Sequence, residues 1–448
     1  MKWGPFMSVY SARKPSHQNP AALKTLEFFN RIFSGAPVGP FAIRLWNGSE
    51  WRHGQQPPRF TLELKHPGAL LRMFWRSSEL SLGEAFIYDD FDIHGDMEAC
   101  FELAGFLVGR RWGVKDKFRL GRELLRLAGR QRGPGKGTPV ALQGRVHSKQ
   151  RDAEAVQYHY NVSNEFYRLW LGRHMVYSCA FFHDPNESLD QAQIRKLDYL
   201  CRKLRLKPGE KLLDIGCGWG GLILHAARSY GVEALGVTLS QPQADLADER
   251  IRAAGLTARC RVEVRDYRDL ALEPQFDKLV SVGMFEHVGE AKLPEYFGRA
   301  YQLLKPRGVF LNHGINQAID APRNKHTSFI DKYVFPDGEL VPLSTSLRVA
   351  EEAGFEIRDV ESLREHYAMT LRRWYQSLQS EREKAIALTS PVIYRIWQIY
   401  MAGSAYGFET RRLGLNQTLL VKSQRRASGL PLTRCDWYQP CPSSSCSS

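Results

Sequence analysis

The run Leu213-Asp214-Ile215-Gly216-Cys217-Gly218-Trp219-Gly220-Gly221 constrains the fold more than any other stretch of the chain. The apolar segment Lys211–Ile215 reads as a strand, the glycines as a tight turn, and Trp219–Tyr230 as a helix. Glycine lets a ligand approach backbone that a Cβ would shield. A strand that ends in such a turn and feeds straight into a helix belongs to a parallel sheet, with its ligand at the carboxyl edge. The pattern continues downstream. Val232–Thr238, Cys260–Val264, Phe276–Val282 and Val309–His313 read as strands, and Gln241–Ala254 as a helix. This alternation predicts an α/β domain whose mostly parallel sheet carries helices on both faces.

Residues 40 to about 130 follow a different pattern, that of a smaller α+β region. Phe41–Trp46 and Phe60–Leu64 read as strands divided by the turn signals Asn47-Gly48 and Pro57-Pro58. Helical spacing runs from about Asp96 to Val108. It resumes over 114–128, where Val114, Phe118, Leu124, Leu125 and Ala128 alternate with Lys115, Lys117, Arg119, Arg122 and Arg126. Such a stretch suits either a surface helix packed on a core or a basic amphipathic helix lying on an anionic membrane. Gln131–Pro139 is too rich in Gly and Pro for a regular element. The expected layout is an accessory domain over 1–130, a basic linker over 131–150, an α/β domain over 151–425 and a flexible tail over 426–448. The last hundred residues read as largely helical, rich in Arg, Trp and Tyr.

With 448 residues, 43% of them hydrophobic, the chain can bury a large core. Its 62 basic and 48 acidic residues leave a formal charge of +14, which calls for an anionic partner: nucleic acid, a phospholipid surface or an acidic substrate. Cys100, Cys179, Cys201, Cys217 and Cys260 form no CxxC pair, and Cys435, Cys441 and Cys446 fall in a Ser-rich tail. No metal site is expected, and the cysteine pattern suits a reducing compartment. The N-terminus lacks the apolar core of a secretion signal, and no apolar run approaches the ~18 residues of a spanning helix. Any membrane contact is therefore expected to be peripheral.

The glycine run departs from the GxGxxG of dinucleotide folds. As G-C-G-W-G-G behind an acid, it resembles the first motif of class I S-adenosylmethionine (SAM) methyltransferases. That resemblance assigns Asp214, Gly216, Gly218 and Gly220 to the cofactor. The second strand ends Thr238-Leu239-Ser240 without the acid that many nucleotide folds place there, so Thr238, Ser240 and Gln243 must offer neutral hydrogen bonds. Asp266, after the third strand, is placed to accept from an adenine amino group, with Tyr267 packing on the ring.

Further motifs make the resemblance specific. Tyr158-His159-Tyr160-Asn161-Val162-Ser163-Asn164-Glu165-Phe166-Tyr167 precedes Met175-Val176-Tyr177-Ser178-Cys179-Ala180. After the glycine run come Gly236-Val237-Thr238-Leu239-Ser240, Asp266-Tyr267-Arg268-Asp269 and Ser281-Val282-Gly283-Met284-Phe285-Glu286-His287-Val288-Gly289. Over residues 150–415 the chain resembles cyclopropane-fatty-acyl-phospholipid synthases, and its N-terminal region resembles that of the longer bacterial members. The resemblance implies a Rossmann-like class I methyltransferase domain with a mostly parallel seven-stranded sheet, plus the smaller N-terminal α+β domain. It implies that the cis double bond of a phospholipid acyl chain attacks the SAM methyl. The resulting carbocation loses a proton and closes to a cyclopropane, leaving S-adenosylhomocysteine (SAH). It also implies a bound bicarbonate as base, held by Cys179, Glu286, His313, Ile315 and Tyr367, with Tyr177 and Ser178 beside the cofactor. Glu286 would accept from the bicarbonate O–H, His313 and Tyr367 would donate, and Cys179 and Ile315 would offer main-chain groups. Taken singly, Cys179 reads as a small buried hydrophobe and His313 as a core histidine; only the motifs join them. Such a site must position a weak nucleophile, exclude water and surround a carbocation with aromatic faces.

One position departs from the family. Met401-Ala402-Gly403-Ser404-Ala405-Tyr406-Gly407-Phe408 carries Ser404 where the family often has Cys, and a carbocation route needs no thiolate there. The expected partners are unsaturated phospholipids at an anionic surface, on the cytoplasmic inner face of the membrane. A homodimer is allowed for, and no nucleic acid is expected. A related acyl-chain methyltransferase making a methyl or methylene branch, and a non-catalytic lipid-binding protein, stand as alternatives. A nucleic-acid methyltransferase ranks below them for want of an Asn/Asp-Pro-Pro-Tyr/Phe motif.

Overall fold

The computed structural model describes residues 20–33, 35–74, 78–110, 122, 146–160, 162–321, 328–424 and 428–438. Most of the basic stretch at 114–128, the Gly/Pro-rich segment 131–139 and the last two cysteines lie outside them. Among the described residues no helix is long and apolar enough to cross a membrane, and no His/Cys/Asp/Glu group could hold a metal ion.

The chain forms two compact units. The first contains the described residues before 140, together with 328–334 and Ser390–Tyr406. Its sheet has the order β2-β1-β3-β4, built from β1 (Phe41–Arg44), β2 (Glu50–His53), β3 (Phe60–Leu64) and β4 (Phe91–Gly95). β3 alternates buried and half-buried residues, the period-2 signature of a strand with one face on the core. Phe41 stacks on Phe60, ring centroids 5.4 Å apart, and Trp51 donates from Nε1 to Asn30 Oδ1 at 2.7 Å. Two later segments of the chain complete this unit. Phe329, on the short helix Phe329–Tyr333, lies against Gly83, where an added Cβ would come within 2.4 Å of the ring. Arg395, on the helix Pro391–Glu409, donates to the carbonyls of Phe86 and Phe91 and to Asp89 and Asp92.

The second unit is an α/β domain built on a seven-stranded, mostly parallel sheet. Its seven strands are β5 (Lys211–Ile215), β6 (Glu233–Thr238), β7 (Cys260–Val264), β8 (Phe276–Val282), β9 (Leu304–Gln317), β10 (Glu356–Ser362) and β11 (Leu413–Val421), in the order β10-β11-β9-β8-β5-β6-β7. β7, β6, β5, β8 and β9 run parallel, and β11 is antiparallel to both its neighbours. Successive residues serve opposite faces. Leu212 and Leu311 join one apolar cluster, while Leu213 and Phe310 join the other. A sheet buried on both faces reads as continuous apolar runs, which is why β5 and β8 stand out in the sequence. The turn after β5 shortens the predicted helix to Gly221–Tyr230, because Gly220 caps it at φ +75°. β9 is longer than predicted. β10 and β11 interrupt the predicted helical C-terminal stretch: β11 carries Asn416, Gln417 and Thr418 in its middle, which hide its strand character. The strand order reverses between β5 and β8, a crevice where such sheets bind ligands.

Candidate functional site

A cavity opens at that crevice. Gly216 (φ +86°) and Gly218 (φ +53°) take conformations that L side chains rarely adopt, and a Cβ on Gly218 would meet nothing within 4 Å. The turn thus leaves room for a ligand against bare backbone. Tyr177, Ser178, Asp214, Gly216 and Gly218 line one side of the cavity. Thr238, Leu239, Gln243, Asp266 and Tyr267 line another. Thr238 Oγ1 donates to Gln243 Oε1 at 2.9 Å, a neutral pair in place of an acid. The two remaining predicted cofactor residues serve the helices behind the wall. Gly220 caps Gly221–Tyr230, and Ser240 caps Gln241–Ala253 by accepting from the Gln243 amide. The Asp266 carboxylate is engaged by Arg268, whose Nη2 lies at 2.6 Å and whose Nε lies at 2.9 Å from it. Tyr267 stands edge-on to Tyr296.

The second predicted group, on β9 and on a turn, a loop and a helix beside it, is linked by hydrogen bonds and strand pairing. β8 and β9 pair Val282 with His313, and the turn Phe285–His287 follows β8 directly. Glu286 Oε1 accepts from the Ile315 amide at 2.7 Å. Ile315 pairs with Leu415 on β11, whose carbonyl accepts from the Leu363 amide. The Leu363 carbonyl in turn accepts from the Tyr367 amide at 3.1 Å and lies 3.8 Å from Cys179 Sγ. Residues that span nearly two hundred positions thus share one neighbourhood. Cys179 adjoins Ser178 of the cofactor wall, and Glu286 follows Gly283 and Met284, which also line the cavity.

This second group is buried and electrostatically unusual. Glu286 Oε2 and His313 Nε2 are buried and have no hydrogen-bond partner among the described residues. Burial raises the Glu286 carboxyl to about 7, although the Ile315 N–H partly offsets it. Burial drives His313 well below its usual range, so its imidazole is neutral, and its Nδ1 meets Gln417 Nε2 at 3.2 Å. Burial likewise pushes the Cys179 thiol up, which makes it a poor nucleophile. Aromatic rings stand alongside. Tyr367 packs 4.8 Å from Phe408 and edge-on to Trp374, and Trp374 lies 5.3 Å from Tyr177. Ser404 falls in the first unit and these residues in the second.

Several polar residues of the cavity escaped the sequence reading. Gln193 and Lys196 lie on the helix Leu189–Leu204, and Lys196 reaches the cavity wall. Asp152, on the helix Lys149–Tyr160, accepts from Arg268 Nη2 at 2.9 Å. His287 also lines the cavity, where burial lowers it to about 4. The glutamate–histidine pair at 286–287 signalled a site, but a lysine on an amphipathic helix resembles any solvated one.

Residues 147–418 match the family described as mycolic acid cyclopropane synthetase, and residues 28–105 match a domain of unknown function. A probable fatty acid methyltransferase of Pseudomonas putida is 42% identical over 406 residues, covering 89% of this chain and 96% of that protein. Another from Mycobacterium tuberculosis is 36% identical over 420 residues, covering 91% of this chain and 97% of that protein. The cyclopropane synthase MmaA2 of M. tuberculosis matches in structure with a TM-score of 0.57 at 35% identity, covering 60% of this chain and 97% of that one. The mycolic acid cyclopropane synthase CmaA1, in complex with SAH and CTAB, gives the same four values.

Proposed function

This chain belongs to the mycolic acid cyclopropane synthetase family of class I SAM-dependent methyltransferases, and from that premise we propose that it cyclopropanates the cis double bond of an unsaturated phospholipid acyl chain. The observation that carries this reading is a buried polar group directly next along the chain to the cavity wall: Cys179 follows the wall residue Ser178, and Glu286 comes two residues after Met284, although none of Cys179, Glu286, His313, Ile315 and Tyr367 lines the cavity itself. In that group Glu286 Oε2 and His313 Nε2 are buried without a hydrogen-bond partner among the described residues, and the rings of Tyr367 and Phe408 pack 4.8 Å apart. A methyl transfer to oxygen or nitrogen needs no such apolar surround. A carbocation does, because exposed water would capture it.

The residues present suit both SAM and bicarbonate. Open space at Gly218 and the unbonded Asp214 Oδ1 suit the donor, which supplies an electrophilic methyl when bound. Glu286 Oε2 and His313 Nε2 suit bicarbonate, which supplies a base beside the new methyl group. In ionised form Glu286 accepts an O–H, while the neutral His313 donates one N–H without adding a positive charge that would oppose the cation. The aromatic faces of Tyr367, Phe408 and Trp374 stabilise positive charge without bonding to it. Bound SAM would supply a methyl whose C–S bond pair stays with sulfur as the alkene's π electrons form the new C–C bond. Loss of a proton from the transferred carbon then leaves its C–H electrons to close the ring. The +14 charge would hold the protein on anionic headgroups at the cytoplasmic face of a membrane, while one acyl chain enters the site.

A second reading has its own support. Two relatives that align over about nine-tenths of the chain are named probable fatty acid methyltransferases. Both branched products pass through the same cation: loss of a chain proton leaves a methyl-branched alkene, and a 1,2-hydride shift before the transferred carbon loses its proton leaves a methylene. Incubation with SAM and vesicles of an unsaturated phospholipid, followed by mass and proton NMR analysis of the acyl chains, separates the products. Cyclopropanation adds one CH₂, removes olefinic protons and adds high-field ring protons. A retained olefinic signal supports a branched product, and unchanged chains beside bound SAM overturn both.

A further inference from the structure

The helix Leu189–Leu204 turns a polar stripe inward that the chemistry above leaves unused. Gln193 and Lys196 are three positions apart, hence on one face, and are 0% and 1% exposed. Gln193 Nε2 donates to the Ser178 carbonyl at 2.9 Å and to the Val176 carbonyl at 3.4 Å. Lys196 Nζ donates to Ser178 Oγ at 2.7 Å. Asp214, only 2% exposed, faces the same cavity with Oδ1 unbonded. Among the described residues no salt bridge reaches Lys196 or Asp214. Two opposite charges buried in one cavity wall without direct pairing carry a large desolvation cost. Burial lowers Lys196 to about 8 and raises Asp214 to about 7, and each one's charge opposes the other's shift. Both therefore keep much of their charge near neutral pH. The ligand that relieves such an arrangement carries a carboxylate and an ammonium close together, as the α-amino-acid end of SAM does.

We propose that Lys196 reads the α-carboxylate of the methyl donor, opposite Asp214, so that the two grip its zwitterionic end while Lys196 also fixes the Ser178 hydroxyl. This inference rests on the donor being SAM. It assigns to a helix outside the glycine turn the selection of donors that keep an intact amino-acid end. Decarboxylated SAM, which has the same sulfonium and adenosine, lacks the group that Lys196 would hold.

Titration calorimetry at pH 7.5 with SAM, SAH and decarboxylated SAM tests this on the full chain and on Lys196→Met. The wild type is expected to bind decarboxylated SAM about tenfold more weakly than SAM, the loss of one charge-assisted contact. Lys196→Met should bind SAM about tenfold more weakly yet bind decarboxylated SAM within about threefold of wild type, which erases the preference. Equal weakening for both ligands would mark Lys196 as a structural residue and overturn the inference. If the variant does not fold, the wild type decides alone, since equal affinity for the two donors overturns it. Wild-type protein that binds neither SAM nor SAH overturns the donor reading itself, an outcome distinct from the others.

Discussion

Glu286 commits one carboxylate oxygen to the Ile315 amide and keeps the other buried and unbonded. If it works as the ionised acceptor, turnover should rise with pH through about 7 and level off above it. Glu286→Gln should lower kcat by about 10²–10⁴ while leaving SAM affinity within about twofold, as rate and calorimetric measurements would show. Stability gives an independent readout. The carboxyl's folded pKa lies above its ordinary 4.5, so between 4.5 and about 7 the folded chain binds the proton that the unfolded chain releases. This residue's contribution to stability therefore falls as pH rises through that window. Melting curves should show Glu286→Gln gaining on the wild type from pH 5 to pH 8, and a constant difference would remove burial as the cause. Asp214 and the glycines were legible because one short motif holds them. Cys179, His313 and Tyr367 were not legible singly, because their proximity is made by β9, β11 and the Leu363 carbonyl. Lys196 was invisible, since nothing in the sequence tells a buried lysine from a solvated one.

Elements were legible where both faces of a strand are apolar. β5 and β8 announce themselves, whereas β11 hides behind Asn416, Gln417 and Thr418, of which Gln417 meets His313 and Asn416 donates to Asn316. β2 and β4 are short, partly exposed strands and gave no periodic signal. The glycine turn depends on a partner in the next strand: a Cβ on Gly236 would stand 2.7 Å from Cys217 Sγ. Gly236→Ala should cost about 1–3 kcal/mol and weaken SAM binding by displacing the turn, read by denaturant titration and calorimetry. In the first unit, Arg395 joins four acceptors on Phe86–Asp92. Arg395→Ala should destabilise that unit by about 2 kcal/mol, seen as an earlier loss of protection in hydrogen exchange over 79–95.

At the scale of the whole molecule, the +14 charge makes a prediction that no single residue does. If headgroup attraction delivers the substrate, activity on vesicles rich in anionic lipid should fall severalfold between 0.05 and 0.5 M NaCl, as screening shortens the range of attraction. Activity on detergent-dispersed lipid should change much less. The two-unit organisation has a different kind of consequence. Phe329 and Arg395 are encoded deep within the catalytic stretch, yet they complete the unit that begins the chain. Along the sequence the two units alternate, the first drawing on three separate stretches of the chain. No single cut separates them, so a fragment beginning at residue 140 would carry away Phe329 and Tyr406 without the Gly83 notch and the Phe101 ring they pack on. Transplanting the first unit onto a shorter relative would likewise require grafting three stretches of sequence, not one.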